Sequence, residues 1–242
     1  MDPTPIKTIS DLIDQLKKDS SGFEGPIWYR GQANHAWNLE PRYMRIKERP
    51  PETYFINKFK QDASIILGHQ PKSEFDWLFL MQHYGVATRL LDWSESPLVA
   101  LFFALGNSDV DGSLWVLYPT NLNKMSNYEP EFTHEIPSFE DVYLENYKPS
   151  TIVGEKKSNL LPMAAIAPRN SSRMQAQQGV FTISHRNNIF INEAGPEGVK
   201  KNHAWRYMIP KECKDQFMQE LRLLGYNRFQ LFPELESIAD SL

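Results

Sequence analysis

Gln82-His83-Tyr84-Gly85-Val86-Ala87-Thr88-Arg89-Leu90-Leu91-Asp92-Trp93-Ser94-Glu95-Ser96-Pro97-Leu98-Val99-Ala100-Leu101-Phe102-Phe103-Ala104-Leu105 decides how the rest of the chain is read. Gln82 to Gly85 is a polar and aromatic turn, with Gly85 free to take a positive φ. Thr88 to Trp93 is a short strand-like run that ends on an acid, an aromatic and a hydroxyl. Ser94-Glu95-Ser96-Pro97 then opens a helix, because serine caps and an early proline suit the first turn. From about Pro97 to Gly106 that helix is apolar nearly all round, so it is expected to be buried. Asp92, Trp93, Ser94 and Glu95 therefore fall at the edge of a core, where reactive groups often sit. The same residues would also serve to end a strand and cap a helix, and on this stretch alone both readings stand.

On the N-terminal side, Ile6 to Lys17 has capping residues and apolar spacing for an amphipathic helix. Ile27-Trp28-Tyr29-Arg30-Gly31-Gln32 reads as a strand ending in Arg-Gly. Arg30 offers a planar fork of donors suited to phosphate or carboxylate, and Gly31 permits close backbone approach. His35 to Tyr43 is expected to be extended. Arg42, Arg45, Lys47 and Arg49 form a basic cluster, read first as a solvated face. Glu52 to Gly68 is expected as a helix with Phe55, Phe59, Ala63, Ile66 and Leu67 on one face, and Glu74 to Tyr84 as another.

On the C-terminal side, Gly112 to Tyr118 is a buried strand closed by Pro119. Asn121 to Pro149 is polar and reads as a surface excursion with a short helix near Phe139 to Tyr143. Strands are expected at Ala164–Pro168, Val180–Ile183, Asn188–Ile191 and Ala204–Ile209. A helix from Lys211 to Leu224 ends at Gly225, and a short one runs from Glu234 to Leu242. Helices gather in the first 110 residues and short strands follow, which is an α+β pattern and not a doubly wound sheet.

Composition narrows the function classes. The 242 residues include 41% apolar and 23% charged side chains, with a net charge of −4. That disfavours a globally basic nucleic-acid-binding face but leaves local patches open. The single cysteine, Cys213, allows neither an internal disulfide nor a cysteine zinc site, and a reducing cytoplasm is the expected home. Met1-Asp2-Pro3-Thr4 has no basic or apolar leader character. The apolar run Leu98–Leu105 is too short for a bilayer, so no membrane role is expected. There is no repeat, P-loop, GxGxxG or HExxH.

Taken together, these segments resemble the FRG-domain family, named for a Phe/Tyr-Arg-Gly motif. The resemblance rests on Tyr29-Arg30-Gly31-Gln32, on Trp37-Asn38-Leu39-Glu40-Pro41-Arg42, and on Gln82-His83-Tyr84-Gly85 through Thr88-Arg89-Leu90-Leu91-Asp92-Trp93-Ser94 to Ala100. It continues with Gln177-Gln178-Gly179-Val180-Phe181 and Leu224-Gly225-Tyr226 to Leu231-Phe232-Pro233. Spanning almost the whole chain, it implies a single domain over 1–242, helix-rich in 1–110 and strand-rich in 111–242. A more distant similarity is to ADP-ribosyltransferases. Their sites begin with a strand ending Tyr-Arg-Gly, continue through Ser-x-Ser-Pro with Ala and Phe on a buried helix, and finish on a strand bearing Glu. Here Arg30, Ser94-Glu95-Ser96-Pro97 with Ala100 and Phe103, and Gln178-Gly179-Val180-Phe181 follow in that order. The implied fold is a helical N-terminal half packed on a split antiparallel sheet.

By that resemblance NAD is a co-substrate, held by Tyr29, Arg30, Gly31, Gln32, His83, Tyr84, Trp93 and Ser94, with no metal. Arg30 takes the pyrophosphate, Tyr84, Trp93 or the Gly31 backbone takes the nicotinamide, and Arg30, Asp92, Ser94 and Gln178 form the catalytic set. One departure stands out. Gln177 and Gln178 occupy the place of the usual Glu, and a glutamine cannot act as a base. His83, Asp92 and Glu95 are then the candidate bases, while Asp92 serves equally well as a salt-bridge partner of Arg89 or Arg30. Several readings follow. The first is transfer of ADP-ribose to a macromolecular acceptor, RNA, DNA or protein, in the setting of a bacterial or phage-defence toxin with an inhibitory protein partner. The second is a non-catalytic module that binds a nucleotide or a protein through the same cleft. The third is RNA binding through Arg42, Arg45, Arg169, Arg173 and exposed aromatics.

Overall fold

The computed structural model describes residues 4–68, 70–106, 109–126, 135–155 and 159–239. Its elements run α1 (Ile9–Asp19), β1 (Trp28–Gln32), α2 (Glu52–Ala63), α3 (Glu74–His83), β2 (Leu90–Ser94), α4 (Pro97–Leu105), β3 (Gly112–Leu117), α5 (Pro119–Met125), α6 (Pro149–Gly154), β4 (Met163–Ala165), α7 (Ser172–Ala176), β5 (Gly179–Ile183), β6 (Ala204–Ile209), α8 (Lys214–Leu223), α9 (Arg228–Leu231) and α10 (Leu235–Ala239). This is an α+β fold on a six-stranded sheet in the order β4-β5-β2-β1-β3-β6, with every strand pair antiparallel. The strands of the first half thus lie in the middle of the sheet, flanked by those of the second half, and helices occur in both halves of the described chain.

The sheet is continuous in order but barely joined at its centre. β1 pairs with β3 from Trp28↔Leu117 to Gln32↔Ser113, and β2 pairs with β5 from Leu90↔Ile183 to Ser94↔Gly179. Between β1 and β2 the register holds one pair, Tyr29↔Ser94. The expected split is therefore a seam closed at one point, and the strand edges on either side of it are left to side chains.

Helix α4 explains why the sheet holds its shape there. Ser96 caps it, accepting from the Val99 N–H at 3.3 Å, and Pro97 opens it. The helix lies directly on β1 and β3 because two glycines face it. A Cβ on Gly31 would stand 1.8 Å from the Ala100 carbonyl oxygen, and one on Gly112 would stand 2.5 Å from that of Ala104. Neither backbone contact can give way, so any side chain at these positions would lift α4 off the sheet. Around this contact α1, α4 and α8 bury one apolar cluster on β1, β3 and β6. Helices α2 and α3 bury a second on β2, β4 and β5. A third, with Trp28, Trp93 and Trp115, includes the alternate residues of β1, β2 and β3.

Several sequence expectations are corrected. Helix α2 stops at Ala63, and Ile66 is exposed instead of lying on its inner face. Residues 188–191 form no strand; Ile191 begins a 3₁₀ turn. The short helix near Phe139–Tyr143 lies instead at Val142–Tyr147 as 3₁₀, and Tyr43–Arg45 is a 3₁₀ turn where an extended chain was expected. Parts of the Asn121–Pro149 excursion and of the terminal helix expected to reach Leu242 lie outside the described residues.

At the start of β2 sits a buried ion pair. Arg89 and Glu52 side chains are each 3% exposed. Arg89 Nε donates to Glu52 Oε2 at 2.7 Å, Nη1 to the Ser184 carbonyl at 2.8 Å and Nη2 to the Tyr147 carbonyl at 2.6 Å. Glu52 Oε1 also accepts from the Arg89 backbone N–H. His185, 1% exposed, lies beside this pair. Its Nδ1 accepts from the Leu160 N–H at 3.2 Å, so the proton belongs on Nε2, which donates to the Asn146 carbonyl at 3.2 Å. Burial, then the Arg89 charge, press its pKa down to about 4, while the Asn146 bond pulls it up. An unfolded histidine titrates near ~6.5. Between these values the unfolded chain binds a proton that the folded chain refuses, so stability falls as pH drops through that window. Urea midpoints taken from pH 7 to pH 4 are expected to fall, and His185→Gln to flatten the fall; equal slopes in both proteins would refute this assignment.

Candidate functional site

The open edges of β1 and β2 border a cleft of about 240 Å³, walled by α3, α4 and α7. Arg30 is its central cation. The side chain is half-buried and its Nη1 reaches across the seam to the Asp92 carbonyl at 2.5 Å. Its Nε is buried without a hydrogen-bond partner. Burial lowers its pKa below the ordinary arginine value, Asp92 raises it and the charge of Arg45 lowers it. A guanidinium that borders a cleft suits an anion, whose charge would offset the desolvation of the arginine.

Asp92 does not form the salt bridge weighed from the sequence. Arg89 is paired with Glu52, and Arg30 bonds the Asp92 backbone. The exposed Asp92 carboxylate accepts instead from Gln82 Nε2 at 2.8 Å, and Gln82 Oε1 in turn accepts from Thr88 Oγ1 at 2.5 Å. This relay fixes the acid at the cleft wall. Ser94 is buried and structural in its bonding. Its Oγ donates to the Gln177 carbonyl at 2.7 Å and accepts from the Ser96 N–H at 3.0 Å. It thereby ties β2, the cap of α4 and the end of α7 together at the cleft.

Of the two glutamines, Gln177 lines the cleft and Gln178 does not. Gln178 has φ +47°, the one non-glycine residue in the left-handed region among those described. Its exposed position and its carbonyl, which accepts from the Glu95 N–H, turn the chain from α7 into β5. Gln177 Nε2 donates to the Leu231 carbonyl at 3.0 Å. The departure from glutamate thus stands at the cleft as an amide already engaged with the backbone before α10.

Among the other expected residues, Tyr29, Gly31, His83 and Trp93 border the cleft. Trp93 Nε1 donates to Thr182 Oγ1 at 3.0 Å, so its indole is fixed. His83 Nε2 stands 3.7 Å from Glu234 Oε1. Burial, then Arg173, lower its pKa while Glu234 raises it, which favours a neutral ring able to accept a proton. Three residues are elsewhere. Gln32 is 5% exposed, with Oε1 accepting from Trp115 Nε1 at 2.9 Å and Nε2 donating to the Asn38 carbonyl; it is a core bond. Tyr84 is 65% exposed and borders an apolar groove beside α2. Glu95 pairs with Arg169 outside the cleft.

Phe103, named from the sequence with the α4 motif, lines the cleft, as does Arg173, named there only as an RNA-binding cation; the cleft role of Phe79 had no sequence signal. Arg173 lies 4.6 Å from the centroid of Phe232, whose ring meets Phe103 edge-on at 5.8 Å. Two arginines and a set of aromatic walls therefore face one space, which suits an anionic group joined to a flat ring.

Residues 25–112 match the family model of the FRG domain. That stretch is similar to FRG domains, and the match takes in β1, α2, α3, β2 and α4. Neither curated proteins nor solved structures give a match. Arg30, Asp92, Ser94 and Phe103 fall within the matched stretch, whereas Arg173, Gln177 and Phe181, which complete the cleft, come from beyond it. Among the described residues no helix is long and apolar enough to cross a membrane.

Proposed function

We propose that the chain is an ADP-ribosyltransferase that moves ADP-ribose from NAD to a macromolecular acceptor. The observation that carries this reading is the meeting, at the β1–β2 seam, of Arg30, Ser94 and Gln177. These are residues from the ordered motifs that resemble such enzymes, brought together across more than 140 positions of sequence. The cleft chemistry fits the co-substrate. Arg30 and Arg173, which both line the cleft, would hold the pyrophosphate. Phe79, Phe103 and Tyr29 offer flat apolar surface to the nicotinamide. At about 240 Å³ the cleft is smaller than the ~300–1,000 Å³ of typical ligand sites. It would therefore enclose one part of a dinucleotide and leave the remainder at its mouth.

In the reaction the bond between nicotinamide nitrogen and ribose C1″ breaks, with the electron pair leaving on nicotinamide. The acceptor nucleophile bonds to C1″ and releases its proton. Orientation and charge stabilisation would carry most of the rate. Gln177 is unable to take that proton. Of the titratable groups weighed from the sequence, His83, held neutral, and the Gln82-bound Asp92 border the cleft and can do so, while Glu95 is turned to Arg169.

The test is mass spectrometry after incubating the purified protein with NAD and, separately, total RNA, DNA and a cell extract. Free nicotinamide with an acceptor heavier by one ADP-ribose unit is the expected result. A non-catalytic module is the second reading, favoured by the engagement of Gln177 with the Leu231 carbonyl. It predicts saturable NAD binding with intact NAD in every mixture, and that outcome would overturn the transferase.

A further inference from the structure

The negative net charge hides a concentrated positive band. Arg42 and Arg45 are exposed and lie three residues apart at a 3₁₀ turn, a spacing that puts both on one face. Arg45 is near enough to Arg30 for like-charge repulsion to help lower the Arg30 pKa. Arg30 and Arg173 border the same cleft. Arg173 and the exposed Arg228 both stand over the Phe232 ring, 4.6 and 5.9 Å from its centroid. The guanidiniums therefore lie in the cleft and on either side of it, from the turn before α2 to α9. Of the acids beside the band, Asp92 accepts from Gln82 and Glu95 pairs with Arg169, while Glu234 Oε1 is buried 3.7 Å from His83. Large exposed aromatics stand along it. Tyr84 is 65% exposed and adjoins Gly85, whose carbonyl accepts from Arg42 Nη1 at 2.7 Å. Phe229, 44% exposed, follows Arg228.

We propose that this band is the docking surface for a single-stranded nucleic acid. Phosphates lie along Arg42, Arg45 and Arg228 on either side of the cleft, which leaves Arg30 and Arg173 to the pyrophosphate, and bases stack on Tyr84 and Phe229, the combination of charge and π-faces that unpaired strands require. An acidic protein would satisfy the charges but would leave the aromatic platforms without a matching partner. A duplex is disfavoured because the cleft accepts only a group taken out of its stack. That the bound strand is also the acceptor of ADP-ribose rests on the proposed function; the binding itself does not.

The experiment is fluorescence anisotropy on the full chain without NAD, using a labelled mixed-sequence 12-nucleotide RNA, the same sequence as DNA, its duplex, and a labelled polyglutamate peptide. Each neutralised phosphate of a single strand contributes a slope of about −0.7 in log K against log salt. Roughly three contacts give about −2.1, or about a twentyfold loss of affinity between 50 and 200 mM salt. Arg45→Ala with Arg228→Ala is expected to make the slope shallower by about 1.4. Tyr84→Ala is expected to weaken binding several-fold without changing the slope. Tighter binding of RNA than DNA, or the reverse, supports the surface and names the sugar it reads. No strand binding at 50 mM salt, a slope unmoved in the double variant, or a duplex or polyglutamate bound as tightly as the strand would overturn the proposal. Nicotinamide release from NAD alone should be unchanged in the double variant. Strand binding of the expected slope with no NAD cleavage by any protein would sink the transferase reading and leave this one standing.

Discussion

Arg30→Ala is expected to lower nicotinamide release from NAD by about a hundredfold or more while the protein still folds. The size follows from what the side chain does. Removing one partner of a buried, charge-assisted contact costs roughly 2–5 kcal/mol, and ~1.4 kcal/mol is a factor of ten. In the protein alone Arg30 makes one hydrogen bond, to the Asp92 carbonyl, and its Nε has none. Its loss should therefore cost folding little, about 1 kcal/mol, partly offset by relief of repulsion from Arg45. Arg30→Lys should recover only a small part of the activity. An ammonium is a point charge and cannot hold the Asp92 carbonyl and a bridging phosphate oxygen together as a planar fork does. Steady-state kinetics with NAD, beside a thermal melt of each variant, separate the two effects. An Arg30→Ala protein that cleaves NAD like wild type would remove the basis of the proposed function. A variant that melts far below wild type would show instead that Arg30 closes the β1–β2 seam mechanically.

The local parts of this site are legible in the sequence because their causes are local. Ser96 and Pro97 announce the start of α4, and the uniformly apolar run behind them announces its burial. The glycine after Arg30 signals close backbone approach, and the structure supplies the neighbour, the Ala100 carbonyl. Strand alternation places Gln32 on the Trp28 side of β1, and so against Trp115 instead of over α4; the same alternation sends Arg30 that way too, until the open seam lets its guanidinium return to the cleft. Other features are set by distance along the chain. Antiparallel pairing of β2 with β5 brings Gly179 opposite Ser94, and only then do Arg173 and Gln177 meet Arg30. Arg173 reads in sequence only as a candidate RNA-binding cation, and its place beside Arg30 follows from the pairing. Gln178 looks like the residue matching a catalytic position, yet the left-handed turn at that residue presents Gln177 to the cleft. Tyr84 fails as a nicotinamide wall because α3 ends there and Gly85, at φ +75°, turns the chain outward.

The Arg89–Glu52 pair is the plainest case of a partner that sequence cannot name, and it leads to the largest expected change in stability. Arg89→Ala should destabilise the protein by about 3–5 kcal/mol, since it leaves the Glu52 carboxylate buried without its counter-charge. In a chain of this size ~1 kcal/mol moves the melting temperature by about 2–4 °C, so a fall of roughly 6–20 °C is expected. Glu52→Ala should cost a similar amount, because it strands the guanidinium and also the Arg89 backbone N–H that Glu52 Oε1 accepts. The paired change Arg89→Met with Glu52→Leu should recover part of the loss, as apolar replacements of a buried ion pair often do. Recovery should stop short of wild type, because the Ser184 and Tyr147 carbonyls lose the donors that Arg89 gives them. Glu52 begins α2 and Arg89 leads into β2, whose far end carries Asp92 and Ser94. A loosened pair should therefore also blur the cleft, and NAD turnover should fall in Arg89→Ala even well below its melting temperature. A double-mutant cycle on urea midpoints measures the coupling. Additive single losses would show that Arg89 acts through the two carbonyls and not through Glu52.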